Sequence, residues 1–483
     1  MANFTSQRNF LFLLIFTVFF LTIHFLFFTD FDYESISNNH NNNDDNNNNN
    51  ENNDNNNNNE NNDNNNNNEN NDNNNNDNLD IKYLNENIAI SPDEKFLTYL
   101  PHSGFNNQRI ALENAIFLSW YLKRTLIVPP IIYFKNISPF GKQKFHPHYS
   151  RLAQLPLDKN EFVSCQERKN KTHVYKDCID AIYTFYNWEY LFSFKFIKEN
   201  VRIIHRTDFI HKNLLNYLMI TSENQTLNMT EDQFKFTQRY YDNVESVKPL
   251  GEFKERVNLQ DLLSKSEKLI HFASVYSIRR LVIELPKNKI FWNDLLHDMI
   301  PNNPIILKVV DNIVKRMGGI NTYIGVHIRI GKGFESRTVA SIKNITSKIK
   351  SDFSDANIDS ASVDLLNSVD SSNTDFNETC YLKFNSKNPI IIYLATSVSR
   401  HHRSLKPFIK TFPCIYVLKD FIQELEIMKS MTNPKDGMNM YEFFTSLVDI
   451  LIASRGIKFY GTFLSTFSML GERLNQFLHE DNS

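Results

Sequence analysis

The sequence has few cysteines and no concentration of charge of one sign. Only four cysteines occur among 483 residues, and none has the close CxxC spacing of a zinc ligand pair. A structural zinc site is therefore not expected. The formal net charge is −3 and no long run of lysine or arginine is present, which argues against DNA or RNA as a partner. An anionic ligand must instead be bound by a local site.

The cysteines and glycosylation signals fit an oxidising compartment. Sequence proximity favours Cys165 with Cys178 and Cys380 with Cys414, although spacing alone does not fix disulfide connectivity. Six N-x-[ST] sequons add weak support, because such triplets arise by chance in an asparagine-rich chain. They are Asn136, Asn170, Asn224, Asn228, Asn344 and Asn377.

One apolar run, FLFLLIFTVFFLTIHFLFF at residues 10–28, is long enough for a helix to cross the roughly 30 Å hydrocarbon core of a bilayer. It ends in bulky Phe27 and Phe28 rather than in the small residues of a signal-peptide cleavage site, so it predicts an uncleaved anchor. Arg8 precedes the run, whereas acidic residues follow it, which places the tail 1–9 in the cytosol. The sequence thus predicts a single-pass type II protein of the Golgi or endoplasmic reticulum membrane with a lumenal body.

The segment 29–80 predicts a disordered stalk. From about residue 38 to 78 it is almost entirely asparagine with scattered acidic residues, which offer no apolar surface to offset the entropy of ordering. Two interpretations stay open: a spacer between body and membrane, or an asparagine expansion without a role.

The remainder predicts an α/β protein. FLTYL at 96–100 is a short apolar strand, a helix follows with Ile110, Asn114, Phe117 and Tyr121 on one stripe, and TLIVPPII at 125–132 is a buried strand. The C-terminal third repeats this alternation, which implies parallel sheets with helices on both faces. Its strand runs are YIGVHI (323–328), PIIIYLAT (389–396), CIYVL (414–418) and IKFYGT (457–462), and its clearest helix is 441–455, ended by Gly456 in the position of a C-cap glycine.

The spacing of the strands favours two α/β domains, 81–300 and 301–483, rather than one barrel. A mostly helical, weakly patterned middle from about 140 to 300 separates the two patterned regions. Residues 351–378 are rich in serine and aspartate and predict a mobile surface insertion.

Three loops follow predicted strands and precede helices, where α/β sheets bind anionic ligands. In HSGFNNQR (102–109), Gly104 allows close approach of a ligand and Asn106 and Asn107 offer donors and acceptors; a plain helix cap is the alternative. In HIRIGKGF (327–334), Arg329 suits a diphosphate and His327 lies on the same side. The alternatives there are a buried ion pair and a structural histidine.

The third loop, GTFLSTFS (461–468), carries hydroxyl groups before an amphipathic helix. Ser465, Thr466 and Ser468 with the helical N–H groups would surround an anion, or would only cap the helix.

In order and spacing, LPHSGFNNQRIALENAI, RTLIVPP, YIGVHIR, YLATS, LKDF and FYGTFLSTFS resemble the GDP-fucose protein O-fucosyltransferase family. The resemblance spans about residues 97 to 478. It implies a GT-B fold with two Rossmann-like domains facing a cleft, inverting transfer of fucose from GDP-fucose to a protein or glycan hydroxyl, and no metal or other cofactor.

The resemblance also assigns roles by position. Arg329 matches the essential arginine at the β-phosphate, and Asp420 in LKDF matches an acidic position near the base or ribose. His327 and the stretch Ser465, Thr466 and Phe467 match nucleotide contacts, and Gly104, Phe105, Asn106 and Asn107 match the loop that lines the sugar-nucleotide cleft.

One departure from the family pattern stands close to the arginine. Family members usually carry an acidic residue where this sequence has Lys332. That reversal leaves open an extra phosphate contact, altered substrate use or lost activity. The general base is not identified, although Glu113 is a weak candidate. Transfer of another nucleotide sugar and a non-catalytic lectin-like or scaffolding role are the alternatives.

Overall fold

The structure is a computed structural model that describes residues 90–101, 103–134, 183–206, 209–230, 237–331, 335–353, 390–412 and 414–480. The predicted tail 1–9, anchor 10–28 and stalk 29–80 lie outside these residues. Among the described helices, none is long and apolar enough to cross a membrane. Cys414 is buried, whereas the other three cysteines lie outside the described residues. Both cysteine pairings therefore stay predictions.

Strands and helices alternate through most of the described residues. The strands are β1 Phe96–Thr98, β2 Thr125–Val128, β3 Ile131–Phe134, β4 Tyr183–Tyr186, β5 Ile203–His205, β6 Thr226–Met229, β7 Gln238–Tyr241, β8 Glu255–Asn258, β9 Leu269–Phe272, β10 Leu281–Val282, β11 Ile324–His327, β12 Ile392–Ala395, β13 Ile415–Tyr416 and β14 Lys458–Gly461. The α-helices are α1 Phe105–Leu122, α2 Lys195–Asn200, α3 His211–Tyr217, α4 Leu259–Leu263, α5 Pro286–Asp298, α6 Pro304–Arg316, α7 Glu335–Asp352, α8 Lys406–Thr411, α9 Ile422–Leu425, α10 Tyr441–Ser454 and α11 Thr466–Glu480.

Two parallel sheets organise these elements. The first has five strands in the order β5-β2-β1-β9-β6, and the second has four in the order β13-β12-β11-β14. A parallel trio, β10-β7-β8, and the antiparallel pair β3-β4 complete the described strands. The α/β class with parallel sheets is thus confirmed, and the strands predicted in the C-terminal third all belong to the four-stranded sheet.

The four-stranded sheet is covered on both faces, as parallel sheets require. Ile324 and Val326 of β11 pack with Ile345 of α7 on one face, while α10 covers the other and α6 packs against α10. The α10 face is so close that a Cβ on Gly325 would lie 1.7 Å from the Ala453 carbonyl oxygen. Only glycine fits at that contact.

Gly456 directly follows the end of α10, in the position predicted for it, and its role there is close packing. Helix α10 ends at Ser454 with Arg455 as its C-cap, and the φ of Gly456 is not positive. A Cβ on Gly456 would lie 2.6 Å from the Gly325 nitrogen. The glycine is therefore explained by close contact with β11.

Three predictions about secondary structure are wrong. The middle of the chain is not mostly helical, since β5, β6 and β9 within it supply three strands of the five-stranded sheet. The run TLIVPPII forms two strands, because Pro129 and Pro130 lack the N–H groups that a continuous ladder needs. Residues 351 and 352 end helix α7 instead of opening a mobile insertion, and 354–378 lie outside the described residues.

Candidate functional site

The predicted ligand loops lie where the strand order of each sheet reverses. In the second sheet, β11 has β12 on one side and β14 on the other, and the loops 327–331 and 461–468 follow the carboxyl ends of β11 and β14. In the first sheet, β1 lies between β2 and β9, and Gly104 to Asn107 follow β1. Such reversal points form the crevices in which open α/β sheets bind ligands.

Hydrogen bonds join the two loops of the second sheet. His327 is 4% exposed, and its Nδ1 lies 2.6 Å from Ser468 Oγ. Thr462 Oγ1 accepts a 2.9 Å bond from the Arg329 backbone nitrogen, and its own backbone nitrogen donates to the His327 oxygen at 3.1 Å. These contacts fix the backbone at the ends of both strands before any ligand binds.

Burial sets the charge of His327. Loss of solvent, followed by the nearby positive charge of Arg329, lowers the pKa of the imidazole to about 3. The ring is therefore neutral at physiological pH. It offers hydrogen bonding without charge, and its neighbour Phe467 packs with a ring-centroid distance of 4.8 Å.

Arg329 extends from the end of β11 as an exposed side chain. This placement excludes the buried structural ion pair as an account of the residue. Its guanidinium presents a planar set of donors that matches a phosphate pair. The adjacent Gly331 has φ +147°, a backbone conformation that favours glycine.

The first turn of α11 joins the site to the first sheet. Thr466 Oγ1 donates a 3.0 Å bond to Asn107 Oδ1. Ser465 is 4% exposed, and its backbone nitrogen bonds the Thr462 oxygen at 3.2 Å. Because first-turn N–H groups have no acceptor within their own helix, this end of α11 favours an anion.

Asn106 and Asn107 lie in the first turn of helix α1, not in a loop. Helix α1 begins at Phe105, with Gly104 as an N-cap that lacks a side-chain cap bond. Asn106 Oδ1 accepts from Arg109 Nε at 2.8 Å, whereas its Nδ2 is buried without a hydrogen-bond partner in the described part of the chain. A buried, unused amide donor is expensive unless a ligand accepts from it.

Two members of the predicted first loop have different surroundings. Phe105 packs inward, stacked 6.0 Å from Trp188 and edge-on 5.1 Å from Phe443. Gly104 is exposed, and a Cβ there would meet nothing within 4 Å. Phe105 therefore contributes packing, and Gly104 leaves space on the solvent side of the turn.

Glu113 lies in a buried cluster of charges. Its carboxylate pairs with Arg109 on the same helix and with Arg473 of α11 at 2.8 Å. Burial alone would raise the pKa of Glu113, but the two arginine charges and their hydrogen bonds outweigh it and lower the pKa below its usual value. A carboxylate held in its charged form by two arginines is a poor general base.

Asp420 already has partners inside the protein. It lies in the 3₁₀ turn Leu418–Phe421, where it pairs with Arg400 and accepts a 2.9 Å bond from the Val417 backbone nitrogen. A nucleotide contact by Asp420 would share the carboxylate with Arg400. Its assignment to the base or ribose stays a prediction.

Sequence reasoning missed the residues that hold the loop after β11. Thr396 Oγ1 donates to the Ile328 oxygen at 3.0 Å, and Ser397 Oγ donates to the Ile330 oxygen at 3.1 Å. Behind them, Asp449 of α10 accepts a 2.7 Å bond from the Tyr393 hydroxyl. A hydroxyl pair directly after a buried strand is the signal that points to such a role.

Metal ligation has no support among the described side chains, where no group of three or more His, Cys, Asp or Glu residues is arranged to hold an ion. Metal independence stays a prediction. Lys332, the departure from the family pattern, lies outside the described residues, as does His102.

Comparison with known proteins gives one family and several distant similarities. The model of the family described as GDP-fucose protein O-fucosyltransferase matches residues 170–478, more than half of the chain. O-fucosyltransferase 30 of Arabidopsis thaliana is 54% identical over 39 residues, a match that spans 8% of this chain and 8% of that relative.

Among solved structures, POFUT1 in complex with GDP is 12% identical with a TM-score of 0.36, covering 80% of this chain and 95% of that one. The alpha-1,6-fucosyltransferase NodZ, soaked with GDP-fucose, is also 12% identical with a TM-score of 0.36, covering 79% and 92%. The family model thus includes β11, β14 and α11, which carry most of the site described above. This chain belongs to the GDP-fucose protein O-fucosyltransferase family.

Proposed function

We propose that this chain is an inverting glycosyltransferase that moves fucose from GDP-fucose to a hydroxyl group of a protein or glycan. One observation carries the proposal: the first turn of α11 bonds the first turn of α1, and an exposed Arg329 follows the strand that is the reversal point of the four-stranded sheet. Each of these features favours an anionic ligand. Together they suit the diphosphate of a nucleotide sugar.

In this proposal the two sheets belong to Rossmann-like domains, 81–300 and 301–483, that face a cleft in the GT-B manner. As the bond between sugar and diphosphate breaks, the sugar becomes oxocarbenium-like and negative charge grows on the leaving GDP. Arg329 and the α11 N–H groups stabilise that charge. Thr462 and Thr396 hold the peptide group between Ile328 and Arg329, and Ser397 holds the Ile330 oxygen, so the backbone that carries Arg329 is in place before the charge develops.

Substitution of Arg329 tests this role. Arg329→Ala is expected to lower fucose transfer by about 10²-fold or more, because a preorganised donor to the developing charge is lost. The measurement is release of GDP and of transferred fucose at saturating donor. Lys315→Ala, which removes an exposed cation in the last turn of α6, is the control. Transfer retained by Arg329→Ala would contradict the proposed mechanism.

Fucose as the donated sugar is tested separately from the site. Thermal shifts in the presence of GDP-fucose, GDP-mannose and UDP-sugars should be largest with GDP-fucose, since only a ligand that binds the folded state raises its stability. A larger shift with another nucleotide sugar would reassign the donor. Intact binding without transfer or hydrolysis would favour a non-catalytic role instead.

We propose that transfer needs no metal or other cofactor, since Arg329 and helix N-termini supply the positive charge that a metal ion would otherwise provide. Activity is then expected to be unchanged by EDTA. Loss of activity with EDTA and its return with Mg²⁺ or Mn²⁺ would contradict this.

We further propose that residues 10–28 anchor the chain in the Golgi or endoplasmic reticulum membrane, with 29–80 as a stalk and the body in the lumen. The apolar run and the acidic residues that follow it support this orientation. Asn224, Asn228 and Asn344, three sequon residues within the described part, are exposed and accessible to glycosylation. A C-terminal tag should be protease-resistant in sealed microsomes until detergent is added; digestion without detergent would contradict the orientation.

A further inference from the structure

A cavity lined by cationic side chains lies at the C-terminal end of helix α1. The candidate donor site, which includes Arg329, Thr466 and Asn107, lies at the N-terminal end of the same helix. The cavity has a volume of about 560 Å³ and lies between the end of α1, the end of α2 and the first turn of α5. This volume is within the range of small-molecule sites. Helix α1 has 18 residues and is therefore about 27 Å long, so the cavity is separate from the site at Asn107.

Four cationic side chains line the cavity: Lys123, Arg124, Arg202 and Lys287. Among the described residues that line it, none is an aspartate or a glutamate. Lys123 and Lys287 are exposed, and within the described residues neither has an ion-pair partner. The two lysines are therefore available to an anion.

Arg124 is the buried member of this group, with 4% of its surface exposed. Its guanidinium donates to the backbone oxygens of Glu267 and Lys265 at 2.8 and 2.9 Å, acceptors that carry no net charge. Burial lowers the pKa of Arg124 to about 10, and the charge of Glu267 opposes that effect only in part. A bound anion would stabilise this buried cation.

Ser119 is an independent sign of a ligand. It lines the cavity and is 1% exposed, yet its hydroxyl has no hydrogen-bond partner in the described part of the chain. Leaving a buried hydroxyl unpaired costs about 1–3 kcal/mol, so such a group is usually satisfied. Trp120 and Tyr121 add aromatic surface beside it, against which the apolar face of a sugar ring can pack.

Nearby carboxylates do not cancel the positive charge. Glu94 lies 3.3 Å from Arg202 and the charge of Glu267 acts on Arg124, which leaves the two lysines as the uncompensated cations. Asp242 accepts bonds from the backbone nitrogens of Glu284 and Leu285 and from Asn288 Nδ2, and is thereby engaged. The N-terminus of α5 adds partial positive charge on the same side of the cavity.

We propose that this cavity binds a sugar-sized molecule that carries at least two phosphate or sulfate groups. Lys123, Arg124, Arg202 and Lys287 pair with the anionic groups, Ser119 bonds the ligand, and Trp120 and Tyr121 pack against the ring. The proposal does not depend on the chain being a fucosyltransferase.

Isothermal titration of the purified full chain tests the site. The probes are a trisulfated heparin disaccharide, fructose 1,6-bisphosphate and inorganic pyrophosphate. We expect saturable binding of at least one sugar probe, tighter than that of pyrophosphate and weakened as salt rises from about 50 to about 300 mM. The tighter of the two sugar probes distinguishes a sulfated from a phosphorylated ligand.

The double variant Lys123→Asn/Lys287→Gln should weaken that binding by about tenfold or more. Asparagine is chosen because Lys123 has φ +53°, which asparagine tolerates. Ser119→Ala, a conservative change in a helix, should weaken binding less. Two matched controls, Lys289→Gln/Lys315→Gln outside the cavity and Arg329→Ala at the donor site, should leave it unchanged.

The proposal is overturned by any of the following results. They are absence of saturable binding by either sugar probe, equal affinity in the Lys123→Asn/Lys287→Gln variant, and loss of binding in Arg329→Ala, which would place the probe at the donor site. Pyrophosphate that binds as tightly as the sugar probes would exclude a sugar.

Discussion

The strands of the four-stranded sheet are easier to predict from the sequence than those of the five-stranded sheet. All four strands of the former are apolar runs that predict strands directly. In the five-stranded sheet, β5 and β9 contain histidine and β6 is a partly exposed edge strand with asparagine. Mostly apolar runs of five or more residues predict strands even at a sheet edge or with a histidine, as in β14 and β11, whereas short strands with polar residues, such as β5 and β6, are missed.

The two regions also contribute differently to the candidate site. The four-stranded region supplies a framework of internal bonds around Arg329, and its close packing leaves no room for change at Gly325. The five-stranded region supplies the first turn of α1, which has open space at Gly104 and an unused donor on Asn106. The four-stranded region is thus held by internal hydrogen bonds before a ligand binds. The five-stranded region offers the Asn106 amide as a donor that a ligand can use.

The largest expected effect comes from a matched pair of glycine variants. Gly325→Ala would place a Cβ 1.7 Å from a backbone oxygen, so we expect about 4 kcal/mol or more of lost stability. Gly104→Ala meets nothing within 4 Å and should lower the free energy of unfolding by less than about 1 kcal/mol, the cost of alanine at an N-cap, while weakening GDP-fucose binding. Denaturant unfolding and donor titration measure both. Equal stability losses would remove the contrast between the regions.

A smaller loss of stability is expected from breaking the ion pair between Glu113 of α1 and Arg473 of α11. Glu113→Gln leaves Arg109, 3% exposed, without its carboxylate partner, and should lower the free energy of unfolding by about 3 kcal/mol. Because Glu113 is interpreted as a structural ion pair, the folded fraction should still transfer fucose. If turnover is abolished while the fold is intact, Glu113 is the base and the structural interpretation is wrong.

The ionisation of Asp449 makes the stability of the four-stranded region depend on pH. Burial raises the pKa of this carboxyl to about 7, and its bonds from Tyr393 and the Thr396 backbone oppose the rise. A raised folded-state pKa means that stability present below about pH 4 is lost as the pH rises toward 7. Asp449→Asn, which keeps an acceptor for Tyr393, should avoid that loss. Its melting temperature relative to wild type should rise from pH 4 to 7 and then level off; a constant difference would exclude ionisation of Asp449 as the cause.

The smallest loss of stability is expected from removing the hydrogen bond between Thr466 and Asn107. Thr466→Val removes the bond to Asn107 and should cost about 1 kcal/mol. If the bond between Thr466 and Asn107 also aligns the first turns of α11 and α1 around the donor, the KM for GDP-fucose should rise in Thr466→Val. Thr445→Val, which changes a half-buried threonine bonded within α10, should leave the KM unchanged. An unchanged KM in Thr466→Val would reduce the link to a packing contact.

Much of the four-stranded region could be predicted from local patterns. Each apolar run there is followed by the polar loop that the structure places at the carboxyl end of a strand. Helix α1 begins a few residues before the start that the sequence predicts, because asparagine is common both in loops and in the first turn of a helix. The roles of Gly456 and Glu113 could not be predicted, since they depend on Gly325 and Arg473, which are distant in sequence.

The α/β class, the order of the motifs and the resemblance to the family follow from the sequence alone, because periodicity and short motifs are local properties of the chain. Only the tertiary structure decided that β1 and β11 are the reversal points, that Thr466 meets Asn107, and that Glu113 lies between two arginines. Strand order and burial are properties of contacts between distant segments. Those contacts join separate polar loops into one site and hold the Glu113 carboxylate between two arginines.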